Sequence, residues 1–394
     1  MKLGLLGDHE QLRRWLPVLT NGRRHQIFWA AGLAEFATEL PPQIERLSEP
    51  AQLLELNGID AVLLCGSREA NLQTAKQLAA QQIPLIILPA VGQGSAFLYE
   101  LSLIRDDNHV PLSPLFPLRR HPLVNQFREI LDEGTVGETV EITIQRRHPH
   151  AAGNPRIKIA ECNQHLLWDV DLFWQLCGKY GQVTALRSGE LDSAVSMQSV
   201  TLSASNLPEA IWSIVPAVEE SWELTLRGNL QTVTLVGGAD HSLSELKLGD
   251  SSESVDETEI EEAFLEELDT IEASFKDLRL QGDWPEFVHA MELVEATQQS
   301  IRRRRTVDLY FDMTSERSQF KTQMAALGCG VLMLTLFLLV VVLMLGQMLS
   351  PEAMKWARIL AFAPLFIFLA LQIFIVLARP SMSDSASGSA SNES

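Results

Sequence analysis

The stretch DAVLLCGSREANLQTAKQLAAQQIPLIILPA, Asp60 to Ala90, decides the fold. Ala61–Cys65 is an unbroken apolar run closed by Gly66 and Ser67, which reads as a buried strand. Ala70–Gln81 then sets Leu72, Ala75 and Leu78–Ala79 at helical spacing. Pro84–Leu88 is a second apolar run. Short apolar strands alternating with helices predict a parallel sheet with helices on both faces.

The same pattern extends towards the N-terminus. Lys2–Leu6 is an apolar burst ending at Gly7, Leu12–Leu19 reads as a helix, and Gln26–Ala31 is another burst. Pro50–Leu56 reads as a short helix, with Pro50 at the tolerated first position. Residues 1–120 are therefore expected to form a Rossmann-like domain of class α/β.

Beyond residue 120 the periodicity changes. Pro122–Glu133 looks helical and is closed by Gly134, and Glu138–Arg146 alternates through Val140, Ile142 and Ile144. His165–Cys177 is a helix with Gly178 as its stop. Val183–Ser188, Ser199–Ala204, Ala210–Ile214, Ser221–Arg227 and Thr232–Val236 read as neighbouring strands of one mostly antiparallel open sheet. The acidic Ser251–Asp269 stretch reads as an exposed loop or helix, Trp284–Ile301 as a long helix and Thr306–Tyr310 as a short strand. Residues 121–315 thus make an α+β domain.

Two further runs point to a membrane. Met324–Gly346 carries no charge and is long enough, at about 1.5 Å per residue, to cross a hydrocarbon core of ~30 Å. Ile359–Ala378 is a second such run, interrupted by Pro364 and Gln372, both tolerable in a spanning helix. The short connection Gln347–Arg358 implies a hairpin. Arg302–Arg305, Arg317 and Lys321 precede the first span and Arg379 follows the second, against Lys355 and Arg358 in the loop. That bias places both termini and the soluble domains on the cytoplasmic side, and the Arg302–Arg305 run suits an anionic leaflet. Ser381–Ser394 is Ser-rich and expected to be a disordered tail.

The 394-residue chain has a net charge of −19, which speaks against a general nucleic-acid-binding role. Much of the acid lies in Ser251–Glu272, which reads as a solvated face or a contact for a basic protein. A second copy is the other expected partner, through the second-domain sheet or the spans, where Gly328 and Gly330 hint at close helix contact. Cys65, Cys162, Cys177 and Cys329 form no paired motif and fit a reducing compartment. Met1–Gly7 is too soon interrupted by Asp8, His9 and Glu10 to be a signal peptide.

The order of these pieces resembles the Gfo/Idh/MocA oxidoreductase family over about residues 2–310. Asp60–Ala90 looks like its third strand, helix and fourth strand. RRHPLVNQFREILDEGTVGETVEI, Arg119 to Ile142, looks like the entry into its second domain. WDVDLFWQLCG, Trp168 to Gly178, looks like its site helix, and WPEFVHAMELVEATQQSIRRRRTVDL, Trp284 to Leu309, like its closing helix. The resemblance implies NAD or NADP bound to the first domain, a substrate covered by the second, and proton transfer by the lysine of E-K-P and the histidine of H-x-x-D.

Position by position, that chemistry is altered. Gly7 holds the first place of the glycine cradle, but His9 and Leu12 stand at the second and third, and Asp8 brings negative charge to the phosphate position. The second strand ends Trp29-Ala30-Ala31-Gly32 with no ribose-binding acid; Glu35 is nearest, and Arg23 and Arg24 lie at the wrong end for NADP. Gly66-Ser67 replaces the usual Thr-Pro, and Asn71 replaces a later His. The cofactor-binding candidates are therefore Gly7, Ser67 and Asn71. E-K-P becomes Ile87-Leu88-Pro89, and a leucine transfers no proton. In H-x-x-D, Trp168 replaces the histidine and Asp171 keeps the acid.

His165 lies one turn before Trp168, and Asp169 follows it by four residues on the same face, so His165 and Asp171 are the catalytic candidates, with Asp169 as a partner for His165. His148, His150, Cys162 and His165 match no strong metal motif. Two readings follow: a membrane-tethered scaffold or ligand-sensing module that has lost catalysis, or an NAD(P)-dependent oxidoreductase for a sugar, polyol or similar metabolite with divergent cofactor contacts.

Overall fold

A computed structural model of the chain describes residues 1–22, 24–33, 40–116, 118–149, 157–189, 194–238, 242–276, 283–309, 333–338, 340–342 and 344. The chain divides after Phe311 into two units, Met1–Phe311 and Asp312–Ser394.

The first unit begins with β1 (Lys2–Leu6), α1 (Leu12–Asn21), β2 (Gln26–Ala31), β3 (Glu45–Arg46), a 3-10 turn at Pro50–Glu55, β4 (Ala61–Leu64), α2 (Glu69–Ala80), β5 (Leu85–Ile87), a 3-10 turn at Val91–Gln93, α3 (Gly94–Asn108) and β6 (Leu112–Pro114). Its six strands are parallel, in the order β3-β2-β1-β4-β5-β6. This doubly wound order leaves the ligand-binding crevice of such sheets at the carboxyl ends of the strands. Every residue of β4 and β5 is buried, as their continuous apolar runs require. Leu72, Ala75 and Leu78 of α2 cover one face together with Phe97 and Leu98 of α3.

The chain continues with α4 (Pro122–Asp132), β7 (Thr139–Pro149), β8 (Ile157–Lys158), α5 (Ile159–Cys177), β9 (Gln182–Gly189), β10 (Ala194–Ser203), β11 (Glu209–Ala217), β12 (Ser221–Gly228), β13 (Thr232–Gly237), β14 (Leu243–Leu248), β15 (Ser251–Glu253), α6 (Glu257–Lys276), α7 (Trp284–Arg303) and β16 (Val307–Asp308). The second sheet runs β15-β14-β13-β12-β7-β11-β10-β9-β16, with β8 beside β10. It is mostly antiparallel, as expected, with one parallel pair at its centre, β7 and β11. These two can pair in parallel because α5 and the β9–β10 hairpin lie between them in sequence, and a parallel pair needs such a long crossover. Ile142, Ile144, Val200, Trp212, Leu224 and Leu235 share one buried cluster with residues of α5 and α7.

The acidic segment takes the helical of its two expected forms, with one face buried. Its Glu257–Lys276 portion is a docked helix rather than a freely solvated run. Ile260, Phe264, Leu268 and Ile271 recur at helical spacing and join Leu12, Trp15, Leu16 and Leu19 of α1 in one buried cluster. Phe264 stacks on Trp15 with ring centroids 4.0 Å apart. Glu257 pairs with Arg14 at 2.9 Å and Asp269 with Arg24 at 3.1 Å. Leu3, Leu5, Ile27, Leu63 and Ile86 belong to the same cluster, so this face of the first sheet is closed jointly by α1 and by a helix from the second half of the chain.

In the second unit, residues 333–338, 340–342 and 344 are helical. Apart from these, the expected spans Met324–Gly346 and Ile359–Ala378 lie outside the described residues, as does the Ser381–Ser394 tail. Among the described residues, no helix is long and apolar enough to cross a membrane.

Candidate functional site

The carboxyl ends of β1, β2 and β4 are knitted together by Gly7 and Asn71. Gly7 has φ +88° and donates its amide to Ala31 O at 2.9 Å. A side chain there would run into the Cys65 carbonyl and the Asn71 amide. Asn71 is buried and donates to Gly32 O at 3.2 Å. The structure thus brings Gly7 and Asn71 together as parts of a turn, while Ser67 stands exposed at the rim, against Gly92. Glu35 and Arg23 lie outside the described residues. Arg68, exposed, reaches Gly32 O at 3.3 Å from the β4–α2 connection.

A pyrophosphate would need free N–H groups at the start of α1. Here the turn supplies its own acceptors. Gln11 N donates to His9 Nδ1 at 3.3 Å, Leu12 N to His9 O at 2.9 Å and Arg13 N to Glu10 O at 3.0 Å. Burial holds the His9 imidazole below its ordinary value, against the pull of Asp8. A neutral ring already accepting from the helix start, with a carboxylate next to it, does not fit a dinucleotide pyrophosphate.

The crevice beyond is filled from α5. Trp168 Nε1 donates to Pro89 O at 3.0 Å, and its ring meets that of His9 edge-on at 5.5 Å. Gln164 donates to the same Pro89 carbonyl at 2.9 Å and accepts from Val91 N at 2.9 Å. Leu88, in the lysine position, is buried in the cluster with Cys65, Ile86 and Leu115. The two positions that the resemblance assigns to proton transfer therefore carry a packed indole and a core leucine. The substitutions were visible in the sequence. The Trp168–Pro89 contact was not, because no local pattern reports a hydrogen bond between a helix and a strand end so far apart in the chain.

Asp171 is 4% exposed and grips Arg119, which is 6% exposed, through contacts of 2.6 to 3.1 Å. Arg119 also meets Asp283 at 2.9 Å and Glu286 at 3.0 Å. Burial pushes the Asp171 carboxyl up from its ordinary value against the pull of Arg119. Burial alone would lower the Arg119 guanidinium, but the surrounding carboxylates outweigh it and keep Arg119 charged. Such a pair is costly to break, since either partner alone would be a buried unpaired charge.

The expected His165–Asp169 pairing is replaced by another. Asp169, fully buried, binds Arg146 Nη2 at 2.6 Å and accepts from Trp212 Nε1 at 2.7 Å. The Arg146 guanidinium lies 4.9 Å from the Trp222 ring. A guanidinium and an indole outcompete a neutral imidazole for a buried carboxylate. His165 is held well below its ordinary value by burial, with Arg146 and His148 adding to it. It is neutral near pH 7, and its expected carboxylate is committed elsewhere.

Among the described residues, His25, Asp269 and Glu272 form a grouping of metal-site dimensions. His25 turns Nε2 to Asp269 at 2.8 Å and Nδ1 to Glu272 at 3.8 Å. The ring bridges two carboxylates and does not gather them around one ion. His150 lies outside the described residues. A polar cavity of about 230 Å³ opens elsewhere, between Arg119, Arg120, Arg128, Gln175, Glu267 and Asp283.

The sequence matches no protein-family model and no curated protein. Solved structures do match the fold. A myo-inositol dehydrogenase from Corynebacterium glutamicum aligns with TM-score 0.59 at 15% identity, over 79% of this chain and 99% of its own. A scyllo-inositol dehydrogenase from Lactobacillus casei, solved with NAD(H) and scyllo-inositol, gives 0.59 at 14%, over 78% and 98%. A biliverdin reductase from Synechocystis, solved with biliverdin and NADP+, gives 0.59 at 16%, over 76% and 99%. NAD(H) and NADP+ are thus bound by two of these neighbours, consistent with either cofactor on such a fold. The chain has the architecture of Gfo/Idh/MocA-type inositol dehydrogenases and related oxidoreductases.

Proposed function

We propose that this chain is a membrane-anchored module that keeps an oxidoreductase fold without its hydride-transfer chemistry and acts as a scaffold or ligand sensor on the cytoplasmic face. The observation that carries the reading is Trp168 bonded to Pro89 O, with its ring against His9, at the carboxyl ends of the strands where doubly wound sheets bind their ligands. The self-capped start of α1 and the buried Leu88 support it. Asp171 and His165 then serve as structural residues. The polar cavity beside Arg119 is the place offered to a small ligand.

The membrane part rests on the two uncharged runs and on the helical residues of the second unit, where Met333, Leu334, Leu336 and Phe337 are exposed. Apolar side chains in such number on a helix surface call for lipid or a partner helix. The outer face of the central strands β7 and β11–β13, away from the β9 edge, and the spans are the surfaces offered to a second copy, and the exposed acids of α6 to a basic protein.

One observation favours the alternative, an NAD(P)-dependent oxidoreductase for a sugar or polyol: Arg68 stands exposed beside Gly32, near where a 2′-phosphate would lie. The test is turnover. The full chain in detergent, incubated with NAD+ or NADP+ and inositols or sugars, is expected to produce no reduced nicotinamide. Steady production above a Trp168→Ala control would overturn the proposal.

A further inference from the structure

Arg302, Arg303, Arg304 and Arg305 are all exposed, at the C-terminal end of α7. None makes an ion pair among the described residues, in a chain whose net charge is −19. The turn that carries them is fixed. Arg304 takes φ +51°, Arg305 N donates to Ser300 O at 3.4 Å, and Ser300 Oγ donates to Arg305 O at 2.7 Å. Ser300 Oγ also accepts from Ala185 N of β9 at 3.0 Å, which ties the turn to the sheet. Thr306 and Thr184 share a hydroxyl hydrogen bond of 2.8 Å, and β16 then pairs with the edge of β9.

Strand alternation puts Thr184, Leu186 and Ser188 on one face of β9, opposite the buried Val183 and Ala185. Met197 pairs with Ser188 across to β10 and shares that face. Leu186 is 69% exposed and Met197 46%. The edge therefore combines four guanidinia without an ion pair among the described residues with two exposed apolar side chains. Asp308, bonded to Gln182, is the carboxylate of β16 beside them. Basic residues flanking exposed apolar ones are the signature of an interfacial surface.

We propose that this edge, formed by the end of α7, β16 and the outer face of β9–β10, lies on an anionic phospholipid surface. The guanidinia would bind headgroup phosphates, and Leu186 and Met197 would enter the interface. An anionic leaflet repels the rest of this acidic chain, so the edge also fixes which side of the unit faces the bilayer. The inference rests on the membrane-anchored reading, and its test separates the two.

The full chain in detergent is reconstituted with phosphatidylcholine alone or with about 30 mol % phosphatidylserine. Flotation and hydrogen exchange across residues 300–309 are then measured. The expected result is flotation with both lipids and slower exchange only with phosphatidylserine. Each arginine replaced by glutamine should weaken the edge's lipid affinity roughly fivefold, and salt at about 0.5 M should reverse the protection. Flotation with both lipids but equal exchange overturns this inference and leaves the anchor standing. Flotation with phosphatidylserine alone overturns the anchor and supports the edge. Flotation with neither overturns both. Wild-type salt dependence keeps the test valid if the fourfold Arg→Gln variant fails to fold.

Discussion

Trp168 and Pro89 stand 79 residues apart in the chain, yet the indole N–H of one donates to the carbonyl of the other at 3.0 Å. The contact fastens α5 onto the end of β5, at the carboxyl ends of the strands where doubly wound sheets bind their ligands. Trp168→Phe keeps the packing and removes the hydrogen bond. The Pro89 carbonyl still accepts from Gln164, so the expected loss is about 1 kcal/mol. Trp168→Ala also opens a cavity and should cost about 3–5 kcal/mol. Chemical denaturation of the full chain in detergent, followed by tryptophan fluorescence, checks both values. Equal losses for the two variants would show that the indole does not pack as described.

Asp171 stands at the acid position of the H-x-x-D pattern that the sequence resembles, and it is bound to the buried Arg119. Asp171→Asn leaves Arg119 buried with only Asp283 and Glu286, the first of which is half exposed. A destabilisation of about 3 kcal/mol is expected. Arg119→Met should be better tolerated in the double variant with Asp171→Leu than alone, since removing both charges avoids an orphan. A double-variant cycle on melting free energies measures this coupling; additivity would contradict the pairing.

The closure of the first sheet by α6 sets apolar packing against surface charge. Phe264→Ala removes a ring stacked on Trp15 inside a buried cluster and should cost about 3–5 kcal/mol. Glu257→Gln removes an exposed pair with Arg14 and should cost less than about 1 kcal/mol. If the two losses came out alike, α6 would be held by charge and not by its apolar stripe.

How much of this was legible follows from what local pattern can report. The Ala61–Cys65 run and the Leu72, Ala75, Leu78 spacing gave the sheet and α2, because both signals are periodic and local. Leu88 and Trp168 were visible as substitutions for the same reason. The role of α6 was not. Its glutamates dominate composition, while Ile260, Phe264 and Leu268 declare themselves only once a face is there to receive them. The parallel β7–β11 pair was hidden because strand direction depends on connections and not on alternation. Asp169 was assigned to His165 by helical spacing, but Arg146 lies 23 residues earlier and Trp212 43 residues later, beyond the reach of a spacing argument.

His121 and His289 join His9, His25 and His165 in giving the fold a pH dependence of definite sign, because burial lowers all five. Burial lowers His121 to about 4 and His289 to about 3. Both bind a proton more readily unfolded than folded, so their contribution is present above about pH 6.5 and is lost as pH falls towards those values. His121 Nδ1 also accepts from Leu123 N at 3.3 Å as the cap of α4, an acceptor that protonation removes. Burial raises the carboxyls of Glu267 and Glu286, which act with the opposite sign as pH falls through their raised values. Stability should fall by about 2–4 kcal/mol between pH 7 and 5. His121→Asn keeps a cap and should make that slope shallower. Melting free energies across this range test it; a flat profile in the parent chain would contradict the burial of these rings.

If the fold has lost its hydride-transfer chemistry, as proposed, the self-capped start of α1 should leave the first sheet without affinity for a dinucleotide. The most direct test is equilibrium titration of the full chain in detergent with NADH and NADPH, followed by nicotinamide fluorescence and by calorimetry. The expected result is no saturable binding up to about 1 mM, an affinity no better than about −4 kcal/mol. Saturable micromolar binding of either nucleotide would contradict the account, and a preference for NADPH would point to Arg68 as the group that holds it.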